Sequence, residues 1–171
     1  MLSQIITSII KRNEPATIAP LGTSVVSGRV LPHQIDYNLH MNNAKYLNIL
    51  ERSRWVLFRE NGWFRHFFNK RLNLVVASLE ITFIRALNLF SKYEVHTRIM
   101  SWDEKYVYFE HRIMVKGKLC GHALVKMAGI RKGKRAFCAE ICDTVGIDYQ
   151  DATAYTVIDH WAAMTQAKRD I

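Results

Sequence analysis

Hydrophobic and polar positions change period several times along the chain, and each change marks an element. Leu2, Ile5, Ile6, Ile9 and Ile10 recur at helical spacing ahead of Lys11 and Arg12. Asn13-Glu14-Pro15 ends that helix, because the residue before a proline is pushed out of helical geometry. Pro20-Leu21-Gly22 predicts a loop. Val25, Val26 and Val30, set among small polar residues, predict a strand from Thr23 to Leu31 that Pro32 stops. Helical spacing returns from about Asn43 to Glu60, with Tyr46, Leu47, Leu50, Arg54 and Leu57 on one face and Ser53 alongside. Asn42 or Asn43 caps its start and Asn61-Gly62 supplies its stop. A stripe so rich in large apolar groups predicts a largely buried helix. Trp63 to Phe68 is aromatic and basic, either a short helix or a flap.

After Lys70-Arg71 the period becomes two. Val75, Ala77, Leu79, Ile81 and Phe83 alternate with Val76, Ser78, Glu80, Thr82 and Ile84, a strand pattern. Lys92–Trp102, Tyr106–Lys116 and Leu119–Arg131 continue it, joined by turns at Asp103-Glu104 and Lys116-Gly117-Lys118. His111 interrupts an otherwise apolar face of Val107, Phe109, Ile113 and Val115. A last helix is expected from Asp151 to Lys168, with Tyr155, Ile158, Trp161 and Thr165 along one side. One strand, a long helix and four consecutive antiparallel strands predict an α+β domain whose sheet wraps the helix and buries its stripe.

Composition narrows the classes. The 171 residues suit one domain with a sizeable core. The formal charge of +9 suits phosphates, nucleic acid or anionic lipid without choosing among them. No zinc finger, RNP-like motif or helix-turn-helix stands out, so nucleic acid is not the expected partner. Neither G-x-S-x-G nor a P-loop is present. Cys120, Cys138 and Cys142 are odd in number and irregular in spacing. They fit a reducing, cytoplasmic compartment rather than a disulfide scaffold, and no second ligand pair supports a metal site. The 2–12 segment is too short and interrupted to span a bilayer and lacks the marks of a secretory signal. Either it packs on the body of the protein or a partner subunit, or it lies weakly on a membrane surface.

The chemistry-bearing stretch is Asp36-Tyr37-Asn38-Leu39-His40-Met41-Asn42-Asn43, continuing to Tyr46 and Glu51-Arg52-Ser53-Arg54. It sets one carboxylate ahead of a helix N-terminus, whose unpaired N–H groups and partial positive charge suit a developing oxyanion. Together with Ile81-Thr82-Phe83-Ile84-Arg85 and the paired strands to Lys126, this run resembles the hot-dog fold, in its 4-hydroxybenzoyl-CoA thioesterase-like branch. The resemblance spans about residues 22–135. It divides a single domain, 1–171, into an N-terminal helix and loop (1–21), a core (22–135) and a C-terminal extension (136–171).

The resemblance implies an antiparallel sheet wrapped around one central helix, here with extra N- and C-terminal helices. It implies homodimers or larger assemblies joined sheet edge to sheet edge, with the active site between subunits. It implies an acyl-CoA thioesterase that needs no metal or redox cofactor. Asp36 matches the acid that serves as general base or nucleophile, and the Asn43 N–H matches the donor that polarises the thioester carbonyl. His40 and Asn42 match the segment lining the site. Tyr46 belongs to the matched run. The basic cluster of Arg131, Lys132, Lys134 and Arg135 is the candidate holder of CoA phosphates, with Arg85 and Lys92 as weaker ones.

Plainer readings compete. Asp36 also suits a simple turn cap, and the basic cluster suits a solvated hairpin end. Glu51 suits a salt bridge with a nearby arginine. Glu80 and His96 suit the surface or a subunit interface, and the aromatics of 63–68 suit core or interface better than an acyl pocket. The alternative function is a non-hydrolytic module that binds an acyl thioester or a partner protein.

Overall fold

The computed structural model describes residues 15–168. The helix expected over 2–12 lies outside them. Strand β1 spans Ser24–Arg29, followed by a 3-10 turn at Pro32–Gln34. Helix α1 (Asn43–Glu60) and the short α2 (Trp63–Lys70) come next, then β2 (Leu72–Phe83), β3 (Lys92–Trp102), β4 (Tyr106–Val115) and β5 (Lys118–Arg131). A short β6 (Lys134–Ala136), α3 (Cys138–Val145), a 3-10 turn at Tyr149–Asp151 and α4 (Thr156–Ala167) complete the described residues. The strands form one antiparallel sheet in the order β1-β3-β4-β5-β2, with β6 appended to β5. This is the wrapped-sheet architecture that the resemblance implied.

The long helix begins and ends where its caps direct. Asn42 Oδ1 accepts from the Ala44 N–H at 2.9 Å, and Asn61 is followed by Gly62 at φ +78°. Two apolar clusters flank α1. Tyr46, Ile49 and Leu50 pack with Val30, Leu87, Tyr93, Val95 and Ile113. Leu57 and Phe58 pack with Trp63, Phe67, Phe109, Val125 and Ile141. Between them lies a polar seam. Ser53 and Arg54 of α1 are buried, as are Thr97 of β3 and His111 of β4.

Three expectations need correction. Leu47 is 45% exposed, because it points along a groove rather than into the sheet. β2 does not alternate cleanly: Val75 and Val76 are both exposed. It is a sheet margin that pairs only with β5 and shifts register between Val76 and Ser78, so its pattern reports an open edge as well as a core. The last helix starts at Thr156, five residues late, because the 3-10 turn at Tyr149–Asp151 interrupts the segment.

α4 packs on the outer face of the sheet through Ile158 and Trp161 against Tyr108 and Leu124. Lys126 lies there under three rings, its Nζ 4.9 Å from the Tyr106 centroid and 5.2 Å from that of Trp161. With α1 on one face and α4 on the other, β5 is covered on both sides. That explains its unbroken buried run from Ala123 to Gly129.

Candidate active site

The Asp36 run folds into a tight turn directly ahead of α1. Ile35 bridges Met41, the Asp36 N–H donates to the His40 carbonyl at 3.0 Å, and the Leu39 N–H donates to the Asp36 carbonyl at 3.1 Å. Leu39 takes φ 61°, the left-handed geometry that closes such a turn. Asp36 Oδ1 accepts from the Asn38 N–H at 2.9 Å, so this carboxylate does cap a turn. Its Oδ2 accepts no hydrogen bond from the described residues, and the side chain is half-buried. Turn capping uses one oxygen and leaves the other for chemistry.

The helix start is occupied except at one donor. Asn42 takes the Ala44 N–H through its side chain and the Lys45 N–H through its carbonyl, at 2.9 and 2.8 Å. The Asn43 N–H has no acceptor among the described residues. His40 is exposed and its backbone bridges Asn88. Tyr46 is 3% exposed and its ring meets Phe83 edge-on at 4.9 Å, so it lies in the core beneath the helix start. Burial raises its phenol pKa, partly offset by a hydrogen bond with the Leu87 backbone.

One turn beyond Asn43 a cleft of about 1070 Å³ opens between α1, α2 and β2. Leu47, Glu51, Arg54 and Phe58, with Trp55 beside them, form its α1 wall; counted from Asn43 the first four follow the 4-4-3-4 spacing of a single helix face. Phe64, Phe67 and Phe68 of α2 close one end, and Leu74, Val75, Val76 and Leu79 of β2 form the opposite side. The aromatics of α2 therefore serve both the core and this wall, a double role that linear order does not disclose. Asp36, His40, Asn42 and Asn43 are not part of its lining; they sit ahead of it.

Glu51 makes no ion pair within 4 Å among the described residues, contrary to the expected salt bridge. Arg54, one turn on, is 6% exposed. Its Nη1 lies 3.3 Å from His111 Nε2, and His111 Nδ1 lies 2.9 Å from Thr97 Oγ1. A guanidinium is always a donor, so Nε2 accepts and the ring proton sits on Nδ1, facing Thr97. Burial holds His111 well below the usual imidazole pKa, with the Arg54 charge adding to it. Burial also lowers Arg54 to about 10, against an opposing contribution from Glu51.

This neutral imidazole has a stability consequence. Its folded pKa lies below its unfolded value, so beneath about pH 6.5 the unfolded chain binds a proton that the folded chain refuses. Stability therefore falls as pH drops through that value, by up to about 1.4 kcal/mol per pH unit for this one group. Urea midpoints of wild type and His111→Gln from pH 7.5 to 5.5 check this. The variant should lose that part of the slope, and parallel slopes would contradict a buried neutral ring.

The basic residues divide. Arg131 reaches Glu140 at 3.2 Å and Thr144 at 2.9 Å, tying β5 to α3. The Arg135 guanidinium lies 5.3 Å from the Tyr106 ring centroid. Lys132, at φ 50°, and Lys134 flank the exposed turn at Gly133. Arg85 Nη1 donates to the Leu119 carbonyl at 2.6 Å. Lys92 lines a separate groove of about 610 Å³ with Arg29 and Lys116. Register places the cluster far from the Asp36 run. Arg131 pairs with Leu72 at the start of β2, whereas the α1 start lies beside Phe83 at its end. Eleven strand steps of about 3.3 Å separate those ends by roughly 36 Å.

Among the described residues no group of three or more His, Cys, Asp or Glu could hold a metal ion. The three cysteines are free and buried; burial pushes the Cys138 thiol up to about 12 and the Cys142 thiol to about 11, far from a nucleophilic thiolate. No helix of the described residues is long and apolar enough to cross a membrane.

Comparison with known proteins agrees with this fold. The thioesterase-like superfamily matches residues 30–161. Protein THEM6 of Danio rerio is 40% identical over 96 residues, covering 56% of this chain and 48% of that protein. A probable thioesterase of Saccharomyces cerevisiae, YBR096W, is 31% identical over 98 residues, 56% of this chain and 43% of its own length. The chain thus spans about half the length of the curated relatives it matches. Among solved structures, the probable thioesterase YbaW of Escherichia coli superimposes with a TM-score of 0.67 at 20% identity, covering 75% of this chain and 98% of that one. At that identity the likeness speaks for the fold.

Proposed function

The chain belongs to the thioesterase-like superfamily, and from that premise we propose that it hydrolyses acyl thioesters of coenzyme A. The observation that carries this reading is the unclaimed N–H of Asn43 standing at the head of the helix face that lines the large cleft. A thioester carbonyl received there is polarised by an oriented donor and the helix N-terminus, and its acyl chain has an apolar groove to enter. Asp36, with one carboxylate oxygen uncommitted, acts as general base on water or attacks the carbonyl itself. The thiolate leaves readily, so no further acid is required.

We assign the phosphate end of the substrate to a second copy of the chain. β2 is a bare sheet margin with exposed Val75 and Val76. Two copies paired antiparallel about Ala77 bring the partner's β2 start, and with it the partner's basic cluster, beside this chain's Phe83 and α1 start. The roughly 36 Å separation within one copy is then bridged by symmetry, with Lys132 and Lys134 as the exposed cations of that cluster. His40 and Asn42 border the entrance, while Tyr46 supports it from the core.

Thiol release from short-, long- and aromatic-chain acyl-CoAs, with the native mass measured in parallel, tests the reading. Turnover of at least one class by a dimer or larger assembly is expected. Tight acyl-CoA binding without turnover across the panel would establish the non-hydrolytic alternative instead.

A further inference from the structure

Arg54 is a buried cation whose counter-charge, Glu51, acts on it through space without a contact ion pair. It is 6% exposed, borders the cleft, and has no carboxylate within 4 Å among the described residues. Of its five N–H donors the structure gives one a partner, the neutral His111 ring. Glu51, one helical turn earlier, stands on the same wall and makes no hydrogen bond or ion pair with the described residues. Apart from Arg71 and Asn73 at the start of β2, the remaining lining is apolar. A hydrocarbon lying there would cover both charged groups and leave their remaining hydrogen-bonding capacity unmet, at high cost. A carboxylate would satisfy Arg54 but meet Glu51 at close quarters. A hydroxyl accepts from the first and donates to the second.

We infer that the cleft selects a long acyl chain bearing a hydroxyl near its far end, recognised jointly by Arg54 and Glu51. This rests on the thioesterase reading above and adds the substrate class. The position follows from helix rise. Glu51 and Arg54 lie eight and eleven residues beyond Asn43, about 12 and 16 Å along the axis. At about 1.25 Å of advance per carbon in an extended chain, the projection of a bond of about 1.5 Å, that is roughly the tenth to thirteenth carbon.

The test compares kcat/KM for 12-hydroxydodecanoyl-CoA, dodecanoyl-CoA, 3-hydroxydodecanoyl-CoA and the mono-CoA thioester of dodecanedioic acid. Wild type should favour the 12-hydroxy substrate over the unsubstituted one by about 10- to 100-fold, the range of a hydrogen bond to a charged group. The 3-hydroxy isomer should gain nothing, because its oxygen falls short of the pair. Arg54→Gln should collapse the ratio. The wild-type comparison decides the matter even if that variant fails to fold. Equal or faster turnover of dodecanoyl-CoA overturns the inference, and so does a preference for the dicarboxylic substrate. Calorimetric binding of free 12-hydroxydodecanoic against dodecanoic acid separates the two claims. If no thioester is cleaved but the hydroxy acid still binds at least tenfold tighter, hydrolysis fails and the cleft assignment stands. Equal affinities overturn the assignment.

Discussion

Asp36→Asn is expected to lower kcat for thioester cleavage by about 10²- to 10⁴-fold, the usual contribution of a positioned base, while the thermal midpoint stays where it was. The substitution is suited to the question because it separates the two roles of this side chain. Asparagine keeps an oxygen at Oδ1, so the 2.9 Å bond from the Asn38 N–H survives and the turn ahead of α1 is preserved. What disappears is the charge and basicity of the carboxylate. Asp36→Ala removes both roles and should also cost about 0.5–1.5 kcal/mol of stability, the net value of one such bond. Undiminished turnover by a well-folded Asn variant would show that another group does the chemistry and that Asp36 is only a turn cap.

The largest loss of stability is expected from Phe109→Ala, about 3–5 kcal/mol. Phe109 is fully buried on β4, and the Phe58 ring of α1 stands edge-on to it at 5.6 Å. Phe58 in turn meets Trp63 and Phe67. Truncation at Phe109 therefore opens a cavity at the junction of α1, α2 and the sheet, where rigid rings cannot collapse to fill it. For a chain of this size each kcal/mol is worth roughly 2–4 °C, so a fall in Tm of about 6–20 °C follows. A shift under about 3 °C would mean that the ring cluster repacks freely and is not the anchor described above.

Much of this fold is legible in the sequence. The caps of α1 are chemical instructions, Asn42 at one end and Asn61-Gly62 at the other, and they set its limits at Asn43 and Glu60. β3 fell on its predicted span and β4 and β5 within a residue of theirs, because tight turns at Asp103-Glu104 and Lys116-Gly117 punctuate clear apolar runs. Local pattern gave out where burial depends on distant neighbours. β6 and α3 were missed: a three-residue strand has no period to detect, and α3 is buried along most of its length by contacts with β5 and α2. Leu47 belongs by periodicity to the α1 stripe, yet the cleft beside β2 leaves it uncovered.

The candidate site divides in the same way. Asp36, His40, Asn42 and Asn43 stand out as candidates in the sequence because they fall in one short run at a helix start. The basic cluster was readable as charge, but the commitment of Arg131 to α3 and of Arg135 to Tyr106 was not, since neither partner is near in sequence. Arg54 and His111 are 57 residues apart, and only folding makes them one unit. Each carried a faint signal, a charged or polar residue on an otherwise apolar face, that in retrospect points at the other.

That pairing gives the central rod a single address within its wrapping. A helix faced only with leucine and valine can ride up or down a curved sheet by a turn and trade one greasy contact for another. Here such a slip would drag a guanidinium off His111 and press it against Phe109 or Ile113, stranding a charge in hydrocarbon at a cost of several kcal/mol. The seam works as a latch. It keeps the tip that carries Asn43 level with the loop that carries Asp36.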